Sequence, residues 1–287
     1  MKALVIGSSG QIGGILAAQC AARGLETAGA GVGGEKLHLD LAAPAALKDV
    51  FAAARPGVVF LCSAMTYVDG CERDPELARR VNAAGPALVA EECRAAGARL
   101  VYLSTEYVFD GKAGPYGEED PVNPVSVYGR TKLEGEQAVL AIADALVIRT
   151  TVVYSYSATS VNFIMQLIAN ARAGKAMSVP KDQFSNPTYA PALGTAILDL
   201  ALKGAGGIYN VVGPDLMDRY AFALKACAAF GFSPAFLVPR LTAELGQSAP
   251  RPLNAGLKTE KLVKALGHGL PPAEQSLAEI AALLKKS

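Results

Sequence analysis

The chain opens with an apolar run, Lys2-Ala3-Leu4-Val5-Ile6, that stops at the turn Gly7-Ser8-Ser9-Gly10-Gln11-Ile12-Gly13. Ile12, Ile15, Leu16 and Cys20 then recur at helical spacing through residue 23. A strand that enters a helix through so short a glycine-rich turn leaves few architectures open. Glycine lets the backbone approach a ligand closely, and the helix N-terminus presents unpaired N–H groups, so the turn suits a dinucleotide pyrophosphate. Its G-x-x-G-x-x-G spacing is one residue longer at the start than the standard G-x-G-x-x-G. A glycine-rich strand–helix turn that binds nothing is the competing reading.

The pattern continues in the same manner. Further β-rich runs fall at residues 26–30, 36–40, 57–62, 99–104 and 145–151, with helical patterns at 44–54, 75–96 and 127–143. Continuous rather than alternating apolar strands, separated by helices, predict an α/β fold: a doubly wound parallel (Rossmann) sheet covered on both faces. The second half is less regular, with helices expected at 162–171, 191–202, 217–230 and 273–286 and short strands at 177–179 and 208–212. Prolines 234, 239, 250, 252, 271 and 272 punctuate it. The expected division is a dinucleotide-binding domain over 1–155, which also receives later segments, and a smaller, irregular substrate lobe over 156–287.

Charge narrows the function. Twenty-seven Lys and Arg balance 26 Asp and Glu for a formal charge of +1, which lacks the basic footprint of a nucleic-acid binder or a polybasic membrane-surface protein. With 51% hydrophobic residues the chain can bury a large core. The first apolar run ends too early for a signal peptide, and the longest charge-free stretches are strand-sized. Five cysteines without a close-spaced pair read as buried thiols of a reducing compartment. A cytoplasmic protein is expected. His38 and His268 stand far apart, so no metal site is expected.

Two constellations carry chemistry. Tyr128 and Lys132 are spaced i and i+4 on a predicted helix, on one face. A free tyrosine titrates near pH 10, and a neighbouring ammonium is expected to lower that value. Alone, such a pair is usually a solvated helix face. Ser104 and Thr105 follow directly on the strand at 99–104, at the carboxyl edge where ligands bind in this architecture. A hydroxyl there can donate to a substrate carbonyl beside Tyr128, or simply cap the strand end. The second strand candidate ends Ala28-Gly29-Ala30-Gly31, with neither the carboxylate that reads an adenosine ribose nor an arginine that would hold a 2′-phosphate. The choice between NADH and NADPH stays open. Asp40 can accept from an adenine amino group or serve as a helix N-cap.

On these residues the chain resembles the extended short-chain dehydrogenase/reductases, most closely their dTDP-4-dehydrorhamnose reductase branch. The resemblance runs through the glycine turn, Thr66-Tyr67-Val68-Asp69-Gly70-Cys71-Glu72, Ser104-Thr105-Glu106-Tyr107-Val108-Phe109-Asp110-Gly111 and Pro115-Tyr116-Gly117-Glu118-Glu119-Asp120. It continues in Tyr128-Gly129-Arg130-Thr131-Lys132-Leu133-Glu134-Gly135-Glu136, Asp182-Gln183, Asn186-Pro187-Thr188-Tyr189-Ala190 and Arg251-Pro252-Leu253-Asn254. It implies a nicotinamide-dependent reduction of a nucleotide-linked 4-keto-6-deoxy sugar. In that reaction Tyr128 is the proton donor, Thr105 orients the carbonyl, and Lys132 binds the nicotinamide ribose. It further implies that Gly7, Gly10, Gln11, Ile12, Gly13, Asp40, Leu41, Ser63, Ala64 and Met65 line the dinucleotide, beside Tyr128 and Lys132. Thr105, Glu106, Asn162 and Arg251 are the implied substrate contacts, and a homodimer the implied assembly. One departure stands out: members of this branch carry a tryptophan facing the sugar shortly after the sixth strand, where this chain reads Arg149-Thr150-Thr151-Val152-Val153-Tyr154, and it has no tryptophan at all. Two other readings keep the same motifs: a sugar-nucleotide epimerase that retains NAD, and a non-catalytic, cofactor-binding regulatory subunit like that of methionine adenosyltransferase.

Overall fold

The computed structural model describes residues 1–142, 145–157 and 160–285. Residue 143 of the expected 127–143 helix and residue 286 of the final helix lie outside the described residues. The apolar runs become the middle of a seven-stranded parallel sheet. Its strands are β1 (Lys2–Ile6), β2 (Glu26–Gly31), β3 (Leu37–His38), β4 (Val58–Leu61), β5 (Arg99–Thr105), β6 (Leu146–Thr150) and an edge strand at Gly207–Asn210, in the order edge strand-β6-β5-β4-β1-β2-β3. The chain winds outward from β1 in both directions. This puts the switch point between β1 and β4, where ligands bind in open α/β sheets.

Both faces are covered, which is why the central strands need apolar residues at every position. Alternate residues separate cleanly. Leu4, Ile6, Val59, Leu61, Leu100 and Tyr102 face a layer containing α2 (Leu47–Ala54) and α5 (Gly85–Ala96). Ala3, Val5, Phe60, Val101 and Ile148 face α1 (Gln11–Ala22) and the helix at Ala190–Leu202. A third cluster, built on Tyr154, Ile164, Phe222, Leu277 and Ile280, holds the C-terminal region together. The edge strand and the helix at 190–202 return to the parallel sheet after the chain has left it.

Two helix expectations change in detail, and two short helices are added. The 75–96 helix is broken: α4 (Pro75–Arg79) passes through a π-helical turn, Arg80–Ala84, before α5 begins. The widening places buried Asn82 to bind the backbone of Met65, accepting from its N–H at 2.8 Å and donating to its carbonyl at 3.0 Å. The 217–230 helix starts two residues late, because Met217–Asp218 pairs antiparallel with Phe184–Ser185, and Asp218 then caps the helix at Arg219–Phe230. Short helices at Val68–Arg73 (α3) and Glu260–Leu266 were too brief to show a period. All five cysteines are free thiols. Among the described residues no helix is long and apolar enough to cross a membrane, and no group of three or more His, Cys, Asp or Glu could hold a metal ion.

Candidate active site

A cleft of about 630 Å³ opens over the carboxyl ends of β1, β4, β5 and β6. One end is the glycine turn. Gly7 has φ +88°, the left-handed region, and a Cβ there would sit 2.7 Å from Ser63 Oγ; a Cβ on Gly13 would sit 2.0 Å from the Gly7 carbonyl. The turn therefore accepts no side chain at either position. Gly10 caps α1 without a side chain and the first helical turn holds no acid, so the positive end of the helix faces the cleft with no acid of its own. Gln11, Ile12, Ser63 and Ala64 line the same end. Ser104 Oγ and Thr150 Oγ1 are buried without a hydrogen-bond partner among the described residues, and both residues line the cleft. A cradle free of side chains, a helix N-terminus and unused hydroxyls fit a dinucleotide.

The other end holds the hydroxyls. α6 (Val127–Leu140) begins at Ser126, whose Oγ accepts from Gly129 N–H at 3.1 Å, while Glu72 accepts from Val127 N–H at 2.7 Å. Two glycines let α6 lie close. A Cβ on Gly129 would meet the Tyr107 carbonyl at 2.2 Å, and one on Gly135 would meet Asn82 O and Tyr102 Oη at 2.4 Å. The first turn of α6 thereby carries Tyr128 onto the cleft wall that Thr105 also lines. The Tyr128 ring stands edge-on to Tyr107, with centroids 5.4 Å apart.

The expected effect of Lys132 on Tyr128 is not what the structure contains. Lys132 Nζ turns to the sheet, donates to the Leu103 carbonyl at 2.6 Å and lies 4.0 Å from the centre of the Tyr102 ring. Burial pushes the Tyr128 phenol up rather than down, with Glu106 adding to the effect. Burial likewise pulls Lys132 down to about 7, against the pull of Glu136. A helical i, i+4 spacing places two side chains on one face but does not decide which neighbour the longer one reaches.

Glu106 is buried behind Thr105. It accepts from Thr105 Oγ1 at 2.8 Å and from Thr151 Oγ1 at 2.5 Å. Burial raises its pKa, and the hydroxyl hydrogen bonds offset this only in part. Asn162 lines the cleft wall, but its amide is engaged at the start of the helix Phe163–Ala173: Oδ1 accepts from Ile164 and Met165, and Nδ2 donates to the Ser155 carbonyl.

The remaining residues implied by the resemblance are not on the cleft wall. Asp40 is exposed and accepts from Ala42 N–H at 2.8 Å in a turn; it is not a helix N-cap either, since the next helix starts at Leu47 after Ala46. Leu41 is buried in the core and Met65 is held by Asn82. Arg251 pairs with Asp69 at 2.9 Å, and Asp69 also accepts from Ser248 and Ala249, so this arginine straps its loop to α3. Its Nη1 is buried without a partner among the described residues, as is Nε of Arg219. Arg219 lines the cleft and was not singled out in the sequence, since nothing around Asp218-Arg219-Tyr220 forms a motif. Asn82 and Thr151 were also missed. Val152, where the branch has tryptophan, lines the cleft with φ +44°, a backbone conformation that β-branched residues rarely adopt.

With this geometry in hand, the chain can be compared with known proteins. Residues 1–286 match the RmlD substrate binding domain family. The chain belongs to that family. A dTDP-4-dehydrorhamnose reductase of Streptomyces griseus is 37% identical over 87% of this chain and 83% of its own length. Among solved RmlD-type structures, a dTDP-4-dehydrorhamnose reductase from Clostridium acetobutylicum superposes with a TM-score of 0.90 at 31% identity, covering 99% of this chain and 100% of that one. The dTDP-4-dehydrorhamnose reductase of Bacillus anthracis, solved in complex with NADP, gives 0.89 at 28% identity, with 99% and 100% covered.

Proposed function

We propose that this RmlD-family chain is a dTDP-4-dehydrorhamnose reductase, working with Thr105, Tyr128 and Lys132. The observation that carries the reading is that Thr105, Tyr128 and Lys132 share one cleft with the side-chain-free glycine turn. The segments around 1–155, with the returning edge strand, hold the dinucleotide, and the C-terminal lobe holds the sugar nucleotide. Arg219 and Arg251 each have one unpartnered guanidinium nitrogen and lie within electrostatic reach of one another. That pairing supports an anionic substrate such as a nucleoside diphosphate sugar.

A reduced nicotinamide, when bound, supplies the hydride. Tyr128 supplies the proton to the C4 oxygen, and its raised pKa suits the task, because a reduction needs a phenol and not a phenolate at the outset. Lys132, once turned from the Leu103 carbonyl, would hold ribose hydroxyls, and a phenolate forming on Tyr128 favours its charged form. Thr105 orients the carbonyl, and Glu106 determines whether it can. An ionised Glu106 accepts the Thr105 hydroxyl's hydrogen bond and so occupies its one donor. A protonated Glu106 donates to Thr105 Oγ1 instead, leaving that hydroxyl free to donate to the substrate.

The sign of the pH effect follows. Burial holds Glu106 protonated to higher pH than an exposed glutamate, and kcat/KM falls as pH rises through its titration. Glu106→Gln carries a permanent N–H donor. It is expected to keep activity within about tenfold, since one neutral hydrogen bond is worth about 0.5–1.5 kcal/mol, and to flatten that limb of the profile. An unchanged limb in the variant would assign the titration elsewhere.

Loss of nicotinamide absorbance that depends on dTDP-4-dehydrorhamnose tests the reaction itself. An epimerase consumes no net cofactor, and a binding subunit oxidises none.

A further inference from the structure

The carboxylate missing from the end of β2 is brought there by the loop that follows it. Glu35 folds back so that Oε1 accepts from Ser9 N–H at 3.0 Å and lies 3.5 Å from Ser8 Oγ, while Oε2 accepts from Gly33 N–H at 2.7 Å. A Cβ on Gly31, the last residue of β2, would sit 2.5 Å from Glu35 Oε1. The carboxylate therefore stands directly over the end of β2, against the second and third residues of the glycine turn. Gly31 is needed to leave it room.

In doubly wound dinucleotide folds this corner belongs to the adenosine ribose, and an acid at the end of the second strand accepts from its 2′-hydroxyl. We propose that Glu35 reads the adenosine ribose in this chain and disfavours a 2′-phosphate, so that the protein takes NADH in preference to NADPH. The inference rests on the dinucleotide reading above.

Three observations support it. A carboxylate has about four acceptor positions, and the two backbone N–H groups leave capacity for ribose hydroxyls. Its charge is kept: burial works against ionisation, but hydrogen bonding from its own backbone N–H, then from Ser9 and Gly33, outweighs it and holds the carboxyl below its ordinary range. No arginine lies between Glu26 and Leu37 to receive a phosphate, and the one lysine there, Lys36, is exposed. A 2′-phosphate would meet a like charge, an arrangement that discriminates strongly between ligands. The Bacillus anthracis relative was solved with NADP, so the preference is proposed for the Gly31–Glu35 pair of this chain and not for the family.

The test is equilibrium binding of NADH and NADPH to the full chain, read by nicotinamide fluorescence. It is repeated by calorimetry with ADP-ribose and 2′-phospho-ADP-ribose, which carry no nicotinamide. The wild type is expected to bind each non-phosphorylated ligand at least about tenfold tighter than its phosphorylated counterpart. Glu35→Gln, which keeps the shape and an acceptor but loses the charge, is expected to narrow that ratio about tenfold, mainly by tightening the phosphorylated ligands. NADPH binding as tightly as NADH in the wild type overturns the proposal and leaves the dinucleotide reading intact. A ratio that Glu35→Gln does not move overturns it as well. Failure of all four ligands to bind overturns both. Should Glu35→Gln not fold, the two wild-type ratios decide alone.

Discussion

Tyr128→Phe is expected to lower kcat by about 10²–10⁴-fold, the range over which a positioned general acid acts, while the dissociation constant for reduced cofactor stays within about twofold. The change is confined by the surroundings. Phenylalanine keeps the ring that stands edge-on to Tyr107 and removes only the hydroxyl, with at most one hydrogen bond. One such bond is worth about 0.5–1.5 kcal/mol of stability, so the variant remains folded, and thermal melts beside the kinetics separate catalysis from folding. Wild-type turnover in Tyr128→Phe would mean that the C4 oxygen receives its proton from another group.

The second large effect lies behind the site. Arg149 on β6 and Glu136 on α6 are both almost fully buried and paired at two points, Nε to Oε1 at 3.0 Å and Nη2 to Oε2 at 2.7 Å. The guanidinium also donates to the Glu118 carbonyl and lies 5.1 Å from the centre of the Phe109 ring. This pair ties the helix that carries Tyr128 and Lys132 to the strand that leads to Thr151 and Val152. Arg149→Met leaves a carboxylate buried and unpaired, which costs about 3–5 kcal/mol. Denaturant unfolding should register that loss. The double variant Arg149→Met with Glu136→Leu should recover most of it, because an apolar pair of similar volume removes the uncompensated charge. A single variant that loses less than about 1 kcal/mol, or a double variant no better than the single, would show that an uncompensated buried charge is not what the substitution costs.

Features set by local backbone were legible in the sequence. The glycine turn could be placed from Gly7, Gly10 and Gly13 because no residue with a Cβ fits at Gly7 or Gly13, and the central strands could be placed because burial on both faces demands unbroken apolar runs. Thr105, Tyr128 and Lys132 were found because a strand end and a helical spacing are both short-range signals. What the chain brings together over long distances was not legible. Glu35 looks like a polar loop residue until β2 and the glycine turn close around it. Asn82 looks like an interruption in an apolar helix, yet the π turn it sits in makes it the brace for Met65. Arg219 reaches the cleft only because Asp218 starts a helix there. The orientation of Lys132 depends on the Leu103 carbonyl, which no spacing rule supplies.

Under the proposed function, hydride passes from the nicotinamide to the sugar C4 while Tyr128 protonates the oxygen. Reduced cofactor carrying deuterium at both nicotinamide C4 positions, incubated with dTDP-4-dehydrorhamnose, is the decisive substrate pair. One deuterium is expected at C4 of dTDP-rhamnose for each cofactor oxidised. Unlabelled product, or an epimerised ketone without net oxidation of the cofactor, would contradict it.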